Sequence, residues 1–350
     1  MTRIARLVVY LLVLGGLTPA LVTAASPLEV VLVQYEVSAE DYSSLEQFHD
    51  RIAHIVEEAM ERSHPDLIVF PEYASVFALF TDYIDSPGLV RLDGIAPEVV
   101  ELMSSEADEP APAAAAEPAT EAAQQLVRRH AERYSPRIAE IWSEVAAEYA
   151  VWIIAGSGFV PAPEGGVNNR VWVYDRAGEI AYHQDKVFLT DFERENLGVV
   201  PGTVSEASTF EVDRIELAVT ICRDSYFDAW EEGFSAADAW IDVRANGEKY
   251  SQAVRRRFDT ALPERVAETP VPIGMSTSLN GVFLDLLWQG PAFVVDDDGN
   301  RIAQAPTVDG NYLMEVVVPD RAPAVTSEPA ITREVPVSSQ ARTSAENSVD

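Results

Sequence analysis

The sequence predicts an α/β protein, and three observations carry that expectation. The first is a β-α-β unit near the start: a buried-strand run at 28–35, a helical stripe over 43–62, and a second apolar run at 67–70. A connection of that size favours parallel pairing of the two strands. The second is an alternation of strand-like and helix-like segments that continues to residue 318. The third is that three strand-like runs end in residues able to do chemistry. The run 67–71 delivers Glu72, the run 179–185 delivers Lys186, and the run 218–221 delivers Cys222. The end of a buried strand is where an α/β protein presents a nucleophile.

In the first helix, Leu45, Phe48, Ile52, Ile55, Val56 and Ala59 fall on one face, and Ser63-His64-Pro65-Asp66 ends it. Residues 104–124 are rich in Ala, Glu and Pro with no apolar stripe, so they read as an exposed insertion within the domain. A helix is expected from about 123 to 149, with Ile138, Ile141, Trp142 and Val145 on its apolar side. A strand at 151–154 runs into Gly156-Ser157-Gly158-Phe159. Segments 169–174 and 178–182 flank the turn Asp175-Arg176-Ala177-Gly178 and predict an antiparallel hairpin. A charged loop, 191–196, leads toward Pro201-Gly202, and 209–212 with 215–221 form a second strand pair. Segments 236–243, 254–267, 271–277 and 283–295 continue the alternation. The turn 296–300 precedes a last strand near 312–318.

The domain organisation follows: an export signal over 1–25, one domain over 26–320, and a tail over 321–350. The signal rests on Arg3 and Arg6, an apolar stretch 7–22, and the small residues of Val22-Thr23-Ala24-Ala25. That stretch is short for a spanning helix, which needs about 20 residues; an uncleaved anchor is the alternative. The expected location is periplasmic or extracellular. No later stretch could cross a bilayer, so no integral membrane domain is expected. Pro, Ser, Thr and charge dominate the tail, which is expected to lack a core and to be disordered or lie along a partner subunit.

Composition narrows the function. An apolar fraction of 47% over 350 residues supports a sizeable core. A formal charge of −32 repels nucleic acid and anionic membranes, and solubility or a salty habitat explains it. One cysteine allows no internal disulfide, and a lone thiol in an exported protein must be buried or used. The five histidines (His49, His54, His64, His130, His183) show no metal-ligand spacing, and there is no Gly-rich phosphate loop. Neither a metal nor a cofactor is expected.

A cysteine attacking an amide or nitrile carbon needs a base for its proton, a cation near the developing charge, and donors that hold that charge. Glu72 follows apolar residues and a proline, so desolvation raises its pKa toward a useful range. Lys186 lowers the cost of both thiolate and oxyanion. Taken singly, Glu72 reads as a solvated loop charge and Lys186 as half of a surface ion pair. A Cys222–His183 dyad is conceivable, but His183 lies on a strand three residues before Lys186. Trp288, Phe283 and Tyr73 are candidate pocket walls, although aromatics are more often core.

Together the motifs resemble the nitrilase, or carbon–nitrogen hydrolase, superfamily over about 28–318. The stretch Asp66-Leu67-Ile68-Val69-Phe70-Pro71-Glu72-Tyr73 is similar to its glutamate motif. Residues 182–189 around Lys186 are similar to its lysine motif, and 217–224 present Cys222 as the nucleophile would be. Asn169, Pro201-Gly202, Gly290 and Asp297-Asp298-Gly299 also fit. The resemblance implies a four-layer α-β-β-α sandwich and a thioester mechanism, with Glu72 as base, Lys186 as oxyanion stabiliser and Cys222 as nucleophile. It also implies a second glutamate; Glu193 is preferred over Glu195 for its spacing from Lys186. Arg223, with the backbone donors that follow the cysteine, and Tyr73 are the substrate or oxyanion candidates.

Nitrilases proper usually carry tryptophan after the cysteine, and Arg223 stands there instead. That favours amides, carbamoyl groups or related C–N bonds, so the expected partner is a small-molecule amide. The family's membrane-embedded acyltransferase branch needs several spanning helices, and the sequence offers none. Homo-oligomers are common in the family, and one is expected here. Two alternatives stay open: a silent binding protein that keeps the fold, and an acyltransferase that uses the same acyl-enzyme.

Overall fold

The computed structural model describes residues 26–85, 89–90, 113–258, 260–283, 286–319 and 335–336. The expected export signal over 1–25, residues 104–112 of the expected insertion, and all of the tail but Val335–Pro336 lie outside the described residues.

Strand β1 (Leu28–Val37) explains the architecture by itself, because it is buried on both faces. Val31, Val33 and Tyr35 pack with Phe48, Ile52 and Val56 of helix α1 (Leu45–Ser63). Leu28, Val30 and Leu32 point the other way, into a core shared with a second sheet. Side chains alternate along a strand, so a run apolar at every position needs a layer on each side. Burying each aliphatic side chain contributes about 1.5–3 kcal/mol.

Helix α1 starts at Ser44, whose hydroxyl accepts from the Gln47 N–H at 3.0 Å. It ends at His64, which takes the left-handed conformation at φ 49°. The chain then enters β2 (Leu67–Val69), parallel to β1 as expected. The small pair β3 (Ile84–Asp85) and β4 (Leu89–Val90) follows. Helix α2 runs Ala113–Tyr149 and buries Ile138, Ile141, Trp142 and Val145 beside α1. It begins ten residues before the expected start. The alanine-rich composition that removed the apolar stripe is also strongly helix-forming, so half of the expected insertion belongs to the helix.

Strand β5 (Trp152–Pro161) pairs parallel with β2, then β6 (Val167–Tyr174) and β7 (Ile180–Asp185) return as an antiparallel meander. The second sheet begins with the hairpin β8 (Phe210–Val212) and β9 (Ile215–Ile221). Short helix α3 (Glu231–Phe234) leads to β10 (Ala239–Val243), parallel to β9. The expected helical segment 254–267 is two helices, α4 (Gln252–Phe258) and α5 (Ala261–Ala267). Leu262 and Val266 of α5 pack with Trp240 on the outer face of the second sheet.

Strand β11 (Ile273–Ser276) pairs parallel with β10, yet β12 (Ser278–Phe283) belongs to the first sheet, parallel to β1. One residue, Thr277, separates strands of different sheets. The segment 283–295 is likewise broken into β13 (Leu286–Trp288) and β14 (Phe293–Asp296), with Gly290-Pro291 between them. Strand β15 (Arg301–Gln304) completes the second sheet, in the order β15-β14-β11-β10-β9-β8. Strand β16 (Tyr312–Val318) pairs antiparallel with β1, and β17 (Val335–Pro336), from the tail, pairs with β16. Helices thus cover the outer face of each sheet and the two inner faces share one core, an α-β-β-α sandwich.

Candidate active site

The three strand ends singled out in the sequence meet at one buried centre. Glu72 sits just past β2. The preceding carbonyl of Pro71 lies against Gly156, where an added Cβ would stand 1.9 Å from that oxygen. Gly156 is at φ +64°, so only glycine fits there. The Tyr73 N–H then donates to Ser157 Oγ at 3.2 Å, fixing the turn from its other side.

Lys186 follows β7, with its N–H donating to the Asn169 carbonyl at 2.8 Å and its own carbonyl accepting from Gly202 at 2.9 Å. A Cβ on Gly202 would lie 2.7 Å from Asp185 Cβ, which accounts for the glycine after Pro201. The Lys186 ammonium donates to Glu72 Oε1 at 2.7 Å and Glu193 Oε1 at 2.8 Å. Asn169 Nδ2 bridges the same two oxygens at 3.0 and 3.1 Å. Glu193 is fully buried while Glu195 is exposed. Its carboxylate accepts from the Thr190 N–H (2.8 Å), Thr190 Oγ1 (3.0 Å) and the Tyr73 hydroxyl (2.7 Å).

Cys222 directly follows β9 at φ +51°, the left-handed region, and begins a tight helical turn over Cys222–Tyr226. Its thiol donates to the Ala245 carbonyl at 3.6 Å and lies near enough to the Glu72 carboxylate to feel its charge. The Ala245 N–H donates to Glu72 Oε2 at 3.1 Å, so one residue contacts both the carboxylate and the thiol.

Burial and the charge of Glu193 push Glu72 up to about 7, against the pull of Lys186. Burial opposes the Lys186 ammonium, but Glu193 and Glu72 hold its pKa well above the usual value. Burial also works against the Glu193 carboxylate; Lys186, Tyr73 and Thr190 outweigh it and keep that pKa low. The thiol differs from the expectation. Burial and the Glu72 charge raise Cys222 well above a normal cysteine, outweighing Lys186. At rest Cys222 is a neutral thiol beside a carboxylate that titrates near neutrality, an arrangement chemically able to support general-base attack.

Sequence reasoning missed several supports. Asp224 Oδ1 accepts from the N–H groups of Val187 (3.1 Å) and Phe188 (2.8 Å), tying the lysine segment to the cysteine turn. Its position two residues after the cysteine was the available signal. Asp242 and Arg244 form a buried ion pair. Ser225 Oγ donates to the Cys222 carbonyl at 2.8 Å and to Asp242 Oδ2 at 3.3 Å. The Thr190-x-x-Glu193 spacing is that of a capping box, and it distinguishes Glu193 from Glu195.

A cleft of about 630 Å³ reaches Glu72, Lys186 and Cys222. Tyr73, Phe192, Tyr226 and Trp288 supply aromatic walls, whereas Phe283 is buried against Phe77 and Tyr42 and does not line it. Arg223 is exposed at the cleft, its guanidinium 5.9 Å from the Phe227 ring centre. His183 is exposed on β7, away from the sulfur, so the dyad fails. No cluster able to hold a metal ion occurs among the described residues, and no helix among them is long and apolar enough to cross a membrane.

The fold and this site define an α-β-β-α sandwich protein with a buried Cys-Glu-Lys centre. Comparison agrees: the family profile described as carbon-nitrogen hydrolase matches residues 29–321. The chain belongs to that family. Comparison with curated protein sequences gives no match. Among solved structures, a carbon-nitrogen hydrolase from Helicobacter pylori G27 is similar at TM-score 0.59 and 16% identity, over 83% of this chain and 89% of that one. An amidase from Nesterenkonia sp. gives 0.57 and 18%, over 86% and 93%. Nit3 of Saccharomyces cerevisiae, a branch 10 member of the nitrilase superfamily, gives 0.55 and 17%, over 83% and 90%. At these identities the likeness shows the shared fold.

Proposed function

We propose that the protein hydrolyses a non-peptide C–N bond of a small amide or carbamoyl compound through a thioester on Cys222. The observation that supports this most is the convergence of Glu72, Lys186 and Glu193 at 2.7–2.8 Å beside the only cysteine. Glu72 takes the thiol proton as sulfur attacks the amide carbon. The Lys186 ammonium and the Arg223 backbone N–H hold the oxyanion, and each such donor is worth about 2.7–4 kcal/mol. As the C–N bond breaks, the protonated Glu72 returns its proton to the departing amine. Water, deprotonated by Glu72, then attacks the thioester, releasing the acid and restoring the thiol. Glu193 keeps Lys186 charged and aimed. A mutant of an amidase from Nesterenkonia sp. AN1 carries the acetamide moiety of fluoroacetamide covalently at its active site cysteine, which fits a nucleophilic cysteine in this fold.

The test is ammonia release from a panel of small amides by wild type, Cys222→Ala and Glu72→Gln. Turnover by wild type alone supports the reading. Equal rates for wild type and Cys222→Ala remove Cys222 from the chemistry. We further propose, from the segment 1–25, that the protein is exported, and, from the family resemblance, that it is a homo-oligomer. Mature N-terminal sequencing and light scattering test these.

A further inference from the structure

Helix α4 forms part of the cleft wall, yet few contacts hold it there. Of its seven residues only Val254 and Phe258 are buried, and the others are exposed. Those two side chains form a small cluster with Cys222, separate from the three larger cores, and so fill the space on one side of the sulfur. Phe258 also lines the cleft, and its ring meets that of Tyr226 edge-on with centres 5.9 Å apart. Among the described residues, one hydrogen bond joins the helix backbone to the chain outside 248–260: Arg244 Nη1 donates to the Phe258 carbonyl at 3.0 Å. That carbonyl is one of those a helix end leaves without an intrahelical partner. A helix this short is not stable by itself in water, so its place beside the sulfur depends on these contacts.

Arg244 is buried and reaches in three directions at once. Its Nε donates to Asp242 Oδ2 at 2.9 Å, and its Nη2 donates to the same oxygen and, at 3.4 Å, to Ser225 Oγ. Ser225 Oγ in turn donates to the Cys222 carbonyl. The guanidinium lies 5.6 Å from the ring centre of Phe293 on β14 and 4.9 Å from that of Phe258 on α4. One planar side chain thus spaces α4 from strand β10 and from the cysteine turn. Arginine's fixed fork serves all of these partners, whereas lysine's single ammonium cannot span them.

We propose that Arg244 is a positioning residue that selects substrates by shape. By fixing α4 against Cys222 it closes that side of the sulfur, so the cleft admits amides or carbamoyl compounds with no branch beside the attacked carbon. Val254 and Phe258 supply the bulk, and Arg244 sets the distance. This rests on the hydrolase reading for the chemistry at Cys222, but its test needs no turnover.

The experiment labels Cys222 of the full chain with iodoacetamide and with 2-iodopropanamide, which carries one more methyl group on the attacked carbon. Each rate is divided by that of a small free thiol, and the readout is the ratio of the two corrected rates. Both reagents meet the same sulfur, so a change in thiol ionisation cancels. Wild type should disfavour the branched reagent on the order of tenfold or more, the effect of one surplus methylene in a tight pocket. Two variants remove the tie to α4: Arg244→Lys, which keeps a cation beside Asp242, and Arg244→Met with Asp242→Asn, which leaves no unpaired charge buried. In both, the ratio should move toward that of the free thiol. Amide exchange should also quicken over 252–258 while the strands stay protected, which reports an intact fold. A ratio unchanged in both variants overturns the proposal, and so does a wild type that treats the two reagents as a free thiol does. An inactive chain whose ratio relaxes would sink the hydrolase reading and leave the wall standing; an active chain with a fixed ratio would do the reverse.

Discussion

At the level of single residues, two carboxylates of the site have different duties. Glu72 titrates near 7 because it is buried and faces Glu193, whereas Glu193 is held ionised by Lys186, Tyr73 and Thr190. The base must be deprotonated to act, so kcat/KM is expected to fall tenfold per pH unit below about 7. Glu193→Gln removes the charge that raises Glu72 and leaves Lys186 paired with Glu72 alone. The acidic limb of the pH profile should then move to lower pH, while the rate on its plateau drops. A limb that stays in place would show that Glu193 does not set the base. Glu72, Lys186 and Cys222 were legible in the sequence because each follows a strand-like run. The thiol's raised pKa was not, because it depends on burial and on how near the Glu72 charge lies in space, which no local pattern reports.

Between elements, the backbone that carries the site is closely packed at Gly156 and Gly202. Gly156→Ala puts a methyl 1.9 Å from the Pro71 carbonyl at a positive φ, so the Glu72 turn must shift. The expected result is a stability loss of at least about 1–3 kcal/mol in urea melts, with activity lost before folding is. The Asp242–Arg244 pair beneath Cys222 offers a second test. Arg244→Met leaves a buried carboxylate unpaired and should cost about 3–5 kcal/mol, and adding Asp242→Asn should restore part of it. Two single losses that simply add would show that the residues do not act as a pair. Most helices and strands were legible from apolar period and turn chemistry. The start of α2 was not, since alanine-rich sequence carries helical propensity without a stripe. Nor was the change of sheet at Thr277, because apolar runs do not say which partner strand they will find.

At the scale of the whole molecule, charge dominates. Burial raises Asp41 to about 6 and Glu72 and Asp224 to about 7, above their unfolded values. Carboxylates so shifted contribute stability that is complete below the unfolded pKa and is lost as pH rises through about 6–7. Self-repulsion at −32 acts in the same direction; His130 and His183, whose pKa values burial lowers, act against it as pH falls through the histidine range, and Glu193, with its depressed pKa, only at lower pH. The Tm is therefore expected to be higher at pH 5.5 than at pH 8, and added salt should narrow the gap by screening. A Tm that rises with pH across this window would contradict the burial pattern. The four-layer architecture followed from the family resemblance more than from any pattern, although a strand apolar on both faces already required a layer on either side.

The central claim is that the amide's acyl group passes through the Cys222 sulfur. Intact-mass and peptide analysis of acid-quenched enzyme during turnover of a hydrolysed amide tests it most directly. An acyl mass on the Cys222 peptide should build within one turnover, decay when substrate is exhausted, and be absent from Cys222→Ala. Full turnover with no acyl mass on that peptide, or with the mass on another residue, would contradict it.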